Sequence, residues 1–450
     1  MVDHGNGGKT ASHPVFGEPV FNEATELPNP AGFTTFHTSD TQTYREIQEL
    51  LKRDVVVVPQ SRMASDELYT LAKALGARGA DVVREIKSSG RITFHSVGDS
   101  GATTKGFYKN EIAVTDQLTT DAHTSQVANR PAFLFHLGDL VYSFGESEYY
   151  WDQFYDAFRN YPAPILAIPG NHDSFVVPDR KGDTPLTVFQ RNFCAEKPVR
   201  TPEARSLHRT AMTQPGVYYA FDAPFVRIIA LFSNALEDPG VISSEDGHWP
   251  DVTDVQLEFL RKQLERAKSE KYAGALLLAM HHPPFSYSPP RSAGHSGGNH
   301  SGNSTMLRQI DQIAKDVGIY PHAVLSGHAH NYQRYTRTVE GFSAEGYDVP
   351  FIICGNGGHH VNKLVQSHRG QPSSEPQYGT DVSYLDHQRV VDGQGLLLEK
   401  YDDEDFGYLR ISVDNQQLRI AYHAVTDGSL LQSRFDLVTI DLASHTMVAN

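Results

Sequence analysis

PAFLFHLGDLVY, residues 131 to 142, places a charged Asp139 directly after Gly138 at the end of an apolar run, with Tyr142 three positions on. Asp139 has no cationic neighbour in sequence, so the reason for a carboxylate there must lie in what the fold brings to it. The same design recurs along the chain. RITFHSVGD (91–99) closes on Gly98 and Asp99, and APILAIPGNHD (163–173) closes on Gly170, Asn171, His172 and Asp173. GALLLAMHHPP (274–284) ends on His281 and His282, and HAVLSGHAHNYQR (322–334) carries His328 and His330. Each is an apolar run of strand length followed at once by polar residues.

Helical patterns lie between these runs. TDVQLEFLRKQLERAK offers Thr253 as N-cap with Gln256 three residues on, then Leu257, Leu260 and Leu264 on one face. STMLRQIDQIAKDVG, from Ser304, repeats the idea with Leu307, Ile310, Ala314 and Val317, and Gly318 stands where a helix should stop. Strands alternating with such helices predict a layered α/β fold, in which ligands gather beyond the carboxyl ends of the strands. FGYLRISVDNQQLRIAYHA, from Phe406, reads as strand, turn and strand, and LQSRFDLVTIDLA, from Leu431, as one strand more. Residues 1 to about 40 form an irregular arm, and 43 to 85 hold helix-compatible patterns broken by the β-branched DVVVVPQ (54–60). The division expected is an N-terminal extension or cap with short helices over 1–90 and the main domain over 91–450. The stretch 283–305 is too rich in Pro, Gly and Ser to be regular, and reads as a lid. No fixed-period repeat points to a solenoid or propeller.

With 54 acidic against 39 basic residues the formal charge is -15, which argues against a broad nucleic-acid-binding face. An anionic substrate would then need local positive charge, which metal ions supply compactly. The opening MVDHGNGGKT shows no ordinary signal peptide and no apolar run approaches membrane-spanning length, so a cytoplasmic location is expected. Cys194 and Cys354 are too few for a disulfide scaffold, and two free thiols or one bridge are both open.

The strand-end set is Asp99, Asp139, Tyr142, Asn171, His172, His281, His328 and His330. Any one of these alone has an ordinary explanation, an Asp after Gly as a turn cap or a His as a hydrogen-bonded core residue. Together, at the same point of five similar units, they gather wherever the strands run parallel. Carboxylate, imidazole and amide oxygen suit Zn, Fe(II) and Mn, and two ions roughly 3.5 to 4 Å apart need a shared oxygen donor. Asp139, central in the set, is the choice for that bridge. A phenol ordinarily loses its proton near pH 10, but a trivalent ion would hold Tyr142 as phenolate.

The series GDSG (98–101), GDLVY (138–142), GNHD (170–173), MHHPPFS (280–286) and GHAHNYQR (327–334), with GNGG at 355–358, resembles the calcineurin-like metallophosphoesterases, and specifically the purple acid phosphatase branch. The resemblance implies a four-layer αββα sandwich with two mixed β-sheets and a binuclear catalytic domain over 91–450. It implies that Asp99, Asp139, Tyr142 and His330 hold Fe(III), and that Asp139, Asn171, His281 and His328 hold a divalent Fe, Zn or Mn. His172 would face the substrate. The activity implied is hydrolysis of phosphate esters, most simply monoesters, by a hydroxide activated between the ions. A cyclic-nucleotide or phospholipid-type phosphodiester is the alternative, and a non-catalytic metal-binding protein a remote one.

The first motif has Asp99-Ser100-Gly101 where the wider superfamily has Asp-x-His, and the second motif has Tyr142, as in purple acid phosphatases; the first 90 residues do not resemble the β-sandwich of the large plant enzymes. In the fourth motif His281 matches the ligand by its place at the strand end, with His282 one register on. His295 and His300 in the following loop are candidates for substrate contact, Tyr332 and Arg334 for bracing the His loop, and His359-His360 has no motif position. The expected partner is a small phosphorylated substrate, without nucleic-acid polymer.

Overall fold

The computed structural model describes residues 55–124, 126–176, 183–236, 240–286, 303–344, 346–362, 364, 396–425 and 433–449, together with strand pairs at 19–20 and 380–381. His295 and His300 lie outside the described residues, as does most of the 1–90 arm before residue 55.

The apolar runs that close on Asp99, Asp139 and Asn171 become the strands Arg91–Val97, Pro131–His136 and Ile165–Ala167, paired parallel to one another. They are buried along nearly their whole length, which suits the near-continuous hydrophobicity of PAFLFH and ILA, while Thr93, His95 and Ser96 of the first strand are buried with hydrogen-bond partners. Four antiparallel strands extend this sheet from Arg91–Val97 outward: Phe406–Asp414, Gln417–Val425, Ser433–Asp441 and Thr446–Val448. The runs ending on His281 and His328 become Ala275–Ala279 and Ala323–Ser326, parallel neighbours in a second, nine-stranded sheet. That sheet is also mixed, with Tyr332–Val339 antiparallel to both Tyr347–Cys354 and Leu396–Asp402.

Aromatic residues join the two sheets. Phe133 of the smaller sheet meets Phe221 of the larger edge-on at 5.0 Å, and Tyr332 stacks on Tyr422 at 3.9 Å. Tyr332 and Arg334, read in the sequence as braces, both bind Asp436 of the smaller sheet, Arg334 through Nε at 2.6 Å. Helix Lys105–Ala122 packs on strands of the smaller sheet, and Val255–Ser269 packs with Ser304–Val317. The expected sandwich of two mixed sheets with helices is the fold observed.

The two long helices show what local signals can do. Ser304–Val317 begins where Asn303 Oδ1 accepts from the Thr305 and Met306 amides, and stops at Gly318 in the left-handed region, φ 79°. Its Leu307, Ile310, Ala314 and Val317 are buried, as the period predicts. The cap expected from Thr253 and Gln256 does not form. The N-cap is Asp254, whose Oδ1 accepts from the Ser244 amide, and Gln256 is buried, binding the Phe232 amide and carbonyl at 2.7 and 2.8 Å. A capping-box glutamine was thus recruited to satisfy another segment's buried backbone.

Residues 55–60 form no strand despite their β-branched sequence; Val56 is buried and its amide reaches Ala235 O at 2.9 Å. Tyr69–Thr70 adds an edge strand to the larger sheet, parallel to Tyr219–Ala223. Cys194 and Cys354 are buried free thiols. Among the described residues no helix is long and apolar enough to cross a membrane.

Candidate metal centre

Asp99 and Asp139 stand two and three residues past the ends of their strands, and the parallel pairing sets them side by side. Asp99 N donates to Gly138 O at 2.9 Å, and Gly101 N to Asp139 O at 3.3 Å. Asp99, Asp139 and His328 all have positive φ, at 56°, 55° and 68°. Left-handed backbone is costly for residues with a side chain and persists where the surroundings over-determine it, commonly at functional sites. Gly170 shows how close the packing is: a Cβ there would sit 1.9 Å from Asp139 Oδ1.

Two sets of donors converge. In the first, Tyr142 Oη donates to Asp99 Oδ1 at 3.0 Å and lies 3.1 Å from His330 Nε2, itself 3.4 Å from Asp99 Oδ1. In the second, Asn171 Oδ1 is 3.1 Å from both His281 Nε2 and His328 Nδ1, and His281 Nε2 is 3.3 Å from Asp139 Oδ2. Asp139, His281 and His328 each offer a ligand atom, all within 4.8 Å of one another. The alternation in HAH therefore sends His330 to one set and His328 to the other. His282 instead lies 3.1 Å from Ser233 Oγ.

The electrostatics of this cluster demand positive charge. Asp99 and Asp139 are fully buried, and burial, reinforced by the charge of Asp139, holds the Asp99 carboxyl well above its usual range. Burial likewise pushes the Tyr142 phenol up, with both carboxylates adding to the shift. For His281 burial works downward, but the Asp139 charge overcomes it and pushes the imidazole up to about 9. Asp139 Oδ2 is buried and makes no hydrogen bond, with His281 Nε2 beside it at 3.3 Å. Buried acceptors are normally satisfied, so an orphan oxygen beside a second carboxylate fits a cation.

Backbone carbonyls fix the imidazoles. His281 Nδ1 donates to Leu137 O at 2.8 Å, which turns the Nε2 lone pair toward Asn171 and Asp139. His172, half-buried, donates Nδ1–H to Ser143 O at 2.7 Å, while its amide reaches Asp139 Oδ1 at 3.0 Å. Burial, partly countered by Asp139, lowers its pKa.

The structure also brings in residues the sequence left without a role. The His359 ring stacks on Tyr142 at 3.6 Å and 5°, opposite the His172 ring at 4.3 Å. His359 Nδ1 donates to Gly101 O at 2.8 Å. His360 Nε2 lies 3.0 Å from His330 Nδ1. His136 takes the Gly138 amide on Nδ1 and faces Ser100 Oγ with Nε2. The signal for His359 and His360 was an HH pair beside a Gly-rich strand end, visible but without a motif to interpret it.

The family model described as calcineurin-like phosphoesterase matches residues 92–332, more than half of the chain. The chain belongs to that family, and the activity this indicates is metal-dependent hydrolysis of phosphoesters. Among solved structures, the "Structure of PhoD" covers 80% of this chain and 72% of its own at 13% identity, with a TM-score of 0.47. A cold-active protein-tyrosine phosphatase of a psychrophile, Shewanella sp., covers 74% and 80% at 10% identity, with a TM-score of 0.25. The search of curated proteins found no match.

Proposed function

We propose that the chain hydrolyses phosphomonoesters at a binuclear centre of the purple acid phosphatase type. In this reading Asp99, Tyr142 and His330 hold Fe(III), Asn171, His281 and His328 hold a divalent Fe, Zn or Mn, and Asp139 bridges. The observation that carries the reading is that Tyr142 of one donor set and His281 of the other both face the buried carboxylate of Asp139. Bound there, the cations would supply Lewis-acid charge that lowers the pKa of the attacking water and offsets the phosphoryl oxygens.

The chain's own groups do the rest. Leu137 O orients His281, and His360 accepts the Nδ1–H of His330, so that these two imidazoles present Nε2, whereas His328 presents Nδ1. With its Nδ1–H engaged by Ser143 O, His172 takes or gives a proton at Nε2, the position from which it would protonate the leaving alkoxide. Its amide holds Asp139 Oδ1 and leaves Oδ2 for the centre.

Elemental analysis joined to a visible spectrum tests this. Iron, a second metal and a tyrosinate charge-transfer colour are expected, with the colour bleached by Tyr142→Phe. Active protein without iron, or colour that survives the substitution, would remove the Fe(III)–phenolate assignment. Turnover of p-nitrophenyl phosphate faster than its bis-ester supports the monoester reading, and the reverse order the phosphodiester alternative.

A further inference from the structure

Residues 137–146, which carry Asp139 and Tyr142, lie outside any strand or helix, so the Tyr142 N–H and C=O have no ladder to join. One side chain takes both. Gln153 Oε1 accepts from the Tyr142 amide at 2.8 Å and Gln153 Nε2 donates to the Tyr142 carbonyl at 2.7 Å, and this glutamine is fully buried. Among the described residues no other hydrogen bond reaches the Tyr142 backbone. Gln153 itself sits in Trp151–Tyr155, a turn of π-helix that continues Ser147–Tyr150 and closes with Asp156 N on Trp151 O at 2.8 Å. Turns of this width are rare and gather at functional sites.

The same grip occurs at two other places. Gln214 holds the Ala167 amide and carbonyl, both at 2.8 Å, and Gln256 holds those of Phe232 at 2.7 and 2.8 Å. Ala167 ends a strand of the smaller sheet and Phe232 lies just past Val226–Ala230 of the larger, so there a side-chain amide satisfies backbone that has run out of strand partners. At Tyr142 the gripped residue also carries a side chain of the donor cluster, its Oη 3.0 Å from Asp99 Oδ1 and 3.1 Å from His330 Nε2. The parallel stack on His359 fixes the plane of the Tyr142 ring but not its place within that plane. That place is set from the backbone, and a ligand is effective only within about 0.5 Å of its productive position.

We propose that Gln153 is a positioning residue of the metal centre, holding the Tyr142 peptide so that the phenol oxygen meets the ion shared with Asp99 and His330. The inference rests on the reading of Tyr142 as a ligand. Gln153 acts through Tyr142 alone, so its loss weakens that ion, spares the one among Asn171, His281 and His328, and has no further effect once the phenol oxygen is gone.

Competition with EDTA on the full chain as isolated, both metals being counted by elemental analysis, tests this. Tyr142→Phe should weaken one of the two equivalents. Gln153→Met should weaken the same equivalent by about 10- to 100-fold, the usual cost of losing a group that orients a ligand, and the double variant should be no weaker than Tyr142→Phe alone. Gln256→Met, which breaks the matching pair of bonds at Phe232, should lower the melting temperature and leave both equivalents in place. If Gln153→Met does not fold, Gln153→Asn, polar but too short to span both groups, should give the same loss at reduced size. Additive effects in the double variant, equal metal loss in Gln256→Met, or unchanged retention in the folded Gln153 variants would each overturn the proposal while the metal reading stands. Full retention of both metals by Tyr142→Phe would remove the role of the phenol and this inference with it.

Discussion

Two groups of buried histidines behave in opposite ways. His322 accepts the Leu276 amide on Nδ1 at 3.0 Å and donates Nε2–H to Leu442 O at 3.2 Å, so both nitrogens are used by backbone. His445 stacks on it at 3.8 Å and on Tyr347 at 4.0 Å. His281 is buried as deeply, but only Nδ1 is used by backbone, and Nε2 faces Asn171 and Asp139. The difference teaches that burial alone does not mark a ligand. In the proposed reading, what marks it is one nitrogen fixed by a carbonyl and the other aimed at acceptors that cannot bond among themselves.

The largest expected effect tests the bridge. Asp139→Asn keeps the shape but loses the charge, and should lower kcat on p-nitrophenyl phosphate by about a thousandfold, the upper range for loss of one electrostatic stabiliser. Metal content should fall with it, and retention of both activity and metal would break the distinction drawn above.

A direct contrast comes next. His281→Ala should release metal and also cost stability, since it strands Leu137 O and opens a cavity. His322→Ala should cost about 3 kcal/mol by stranding the Leu276 amide and opening a cavity, with metal content intact. Metal analysis alongside denaturant melts reads both, and the same pattern in both variants would erase the difference. His360→Ala should weaken metal retention against a chelator by about 10- to 100-fold, the usual cost of losing a group that orients a ligand.

The smallest effect concerns pH. Burial lowers the His322 pKa from 6.5 to about 4, and burial together with His322 lowers His445 to about 3. The unfolded chain therefore binds more protons below pH 6.5, and these groups give stability that is full above that value and lost as pH falls toward the folded values. His445→Phe keeps the stacking and should flatten the fall in stability between pH 6.5 and 4 by about 1 kcal/mol per pH unit. An unaltered slope would show that His445 does not titrate with folding.

The five strand ends were legible because an apolar run that stops abruptly on Gly and a polar residue is a local signal. The helix Ser304–Val317 was legible for a similar reason, period and stop agreeing. Sheet membership was not. PAFLFH and ALLLA are both apolar runs, yet they lie in different sheets, since pairing is decided by partners far along the chain. The capping reading at Thr253 failed because Gln256 was needed by Phe232, a demand invisible locally. His359 and His360 owe their position to the turn after Tyr347–Cys354, which sets them against Tyr142 and His330 across a long sequence gap.

Asp99 is tied to three other segments at once: its amide to Gly138, its carbonyl to His359 N at 3.1 Å, and its carboxylate to His328 N at 2.8 Å. Anyone wishing to re-engineer the chain for a different ion will therefore find that donors cannot be exchanged one by one. Replacing Asp99 shifts the anchorage of its neighbours, so useful variants are to be sought among combinations whose effects do not add.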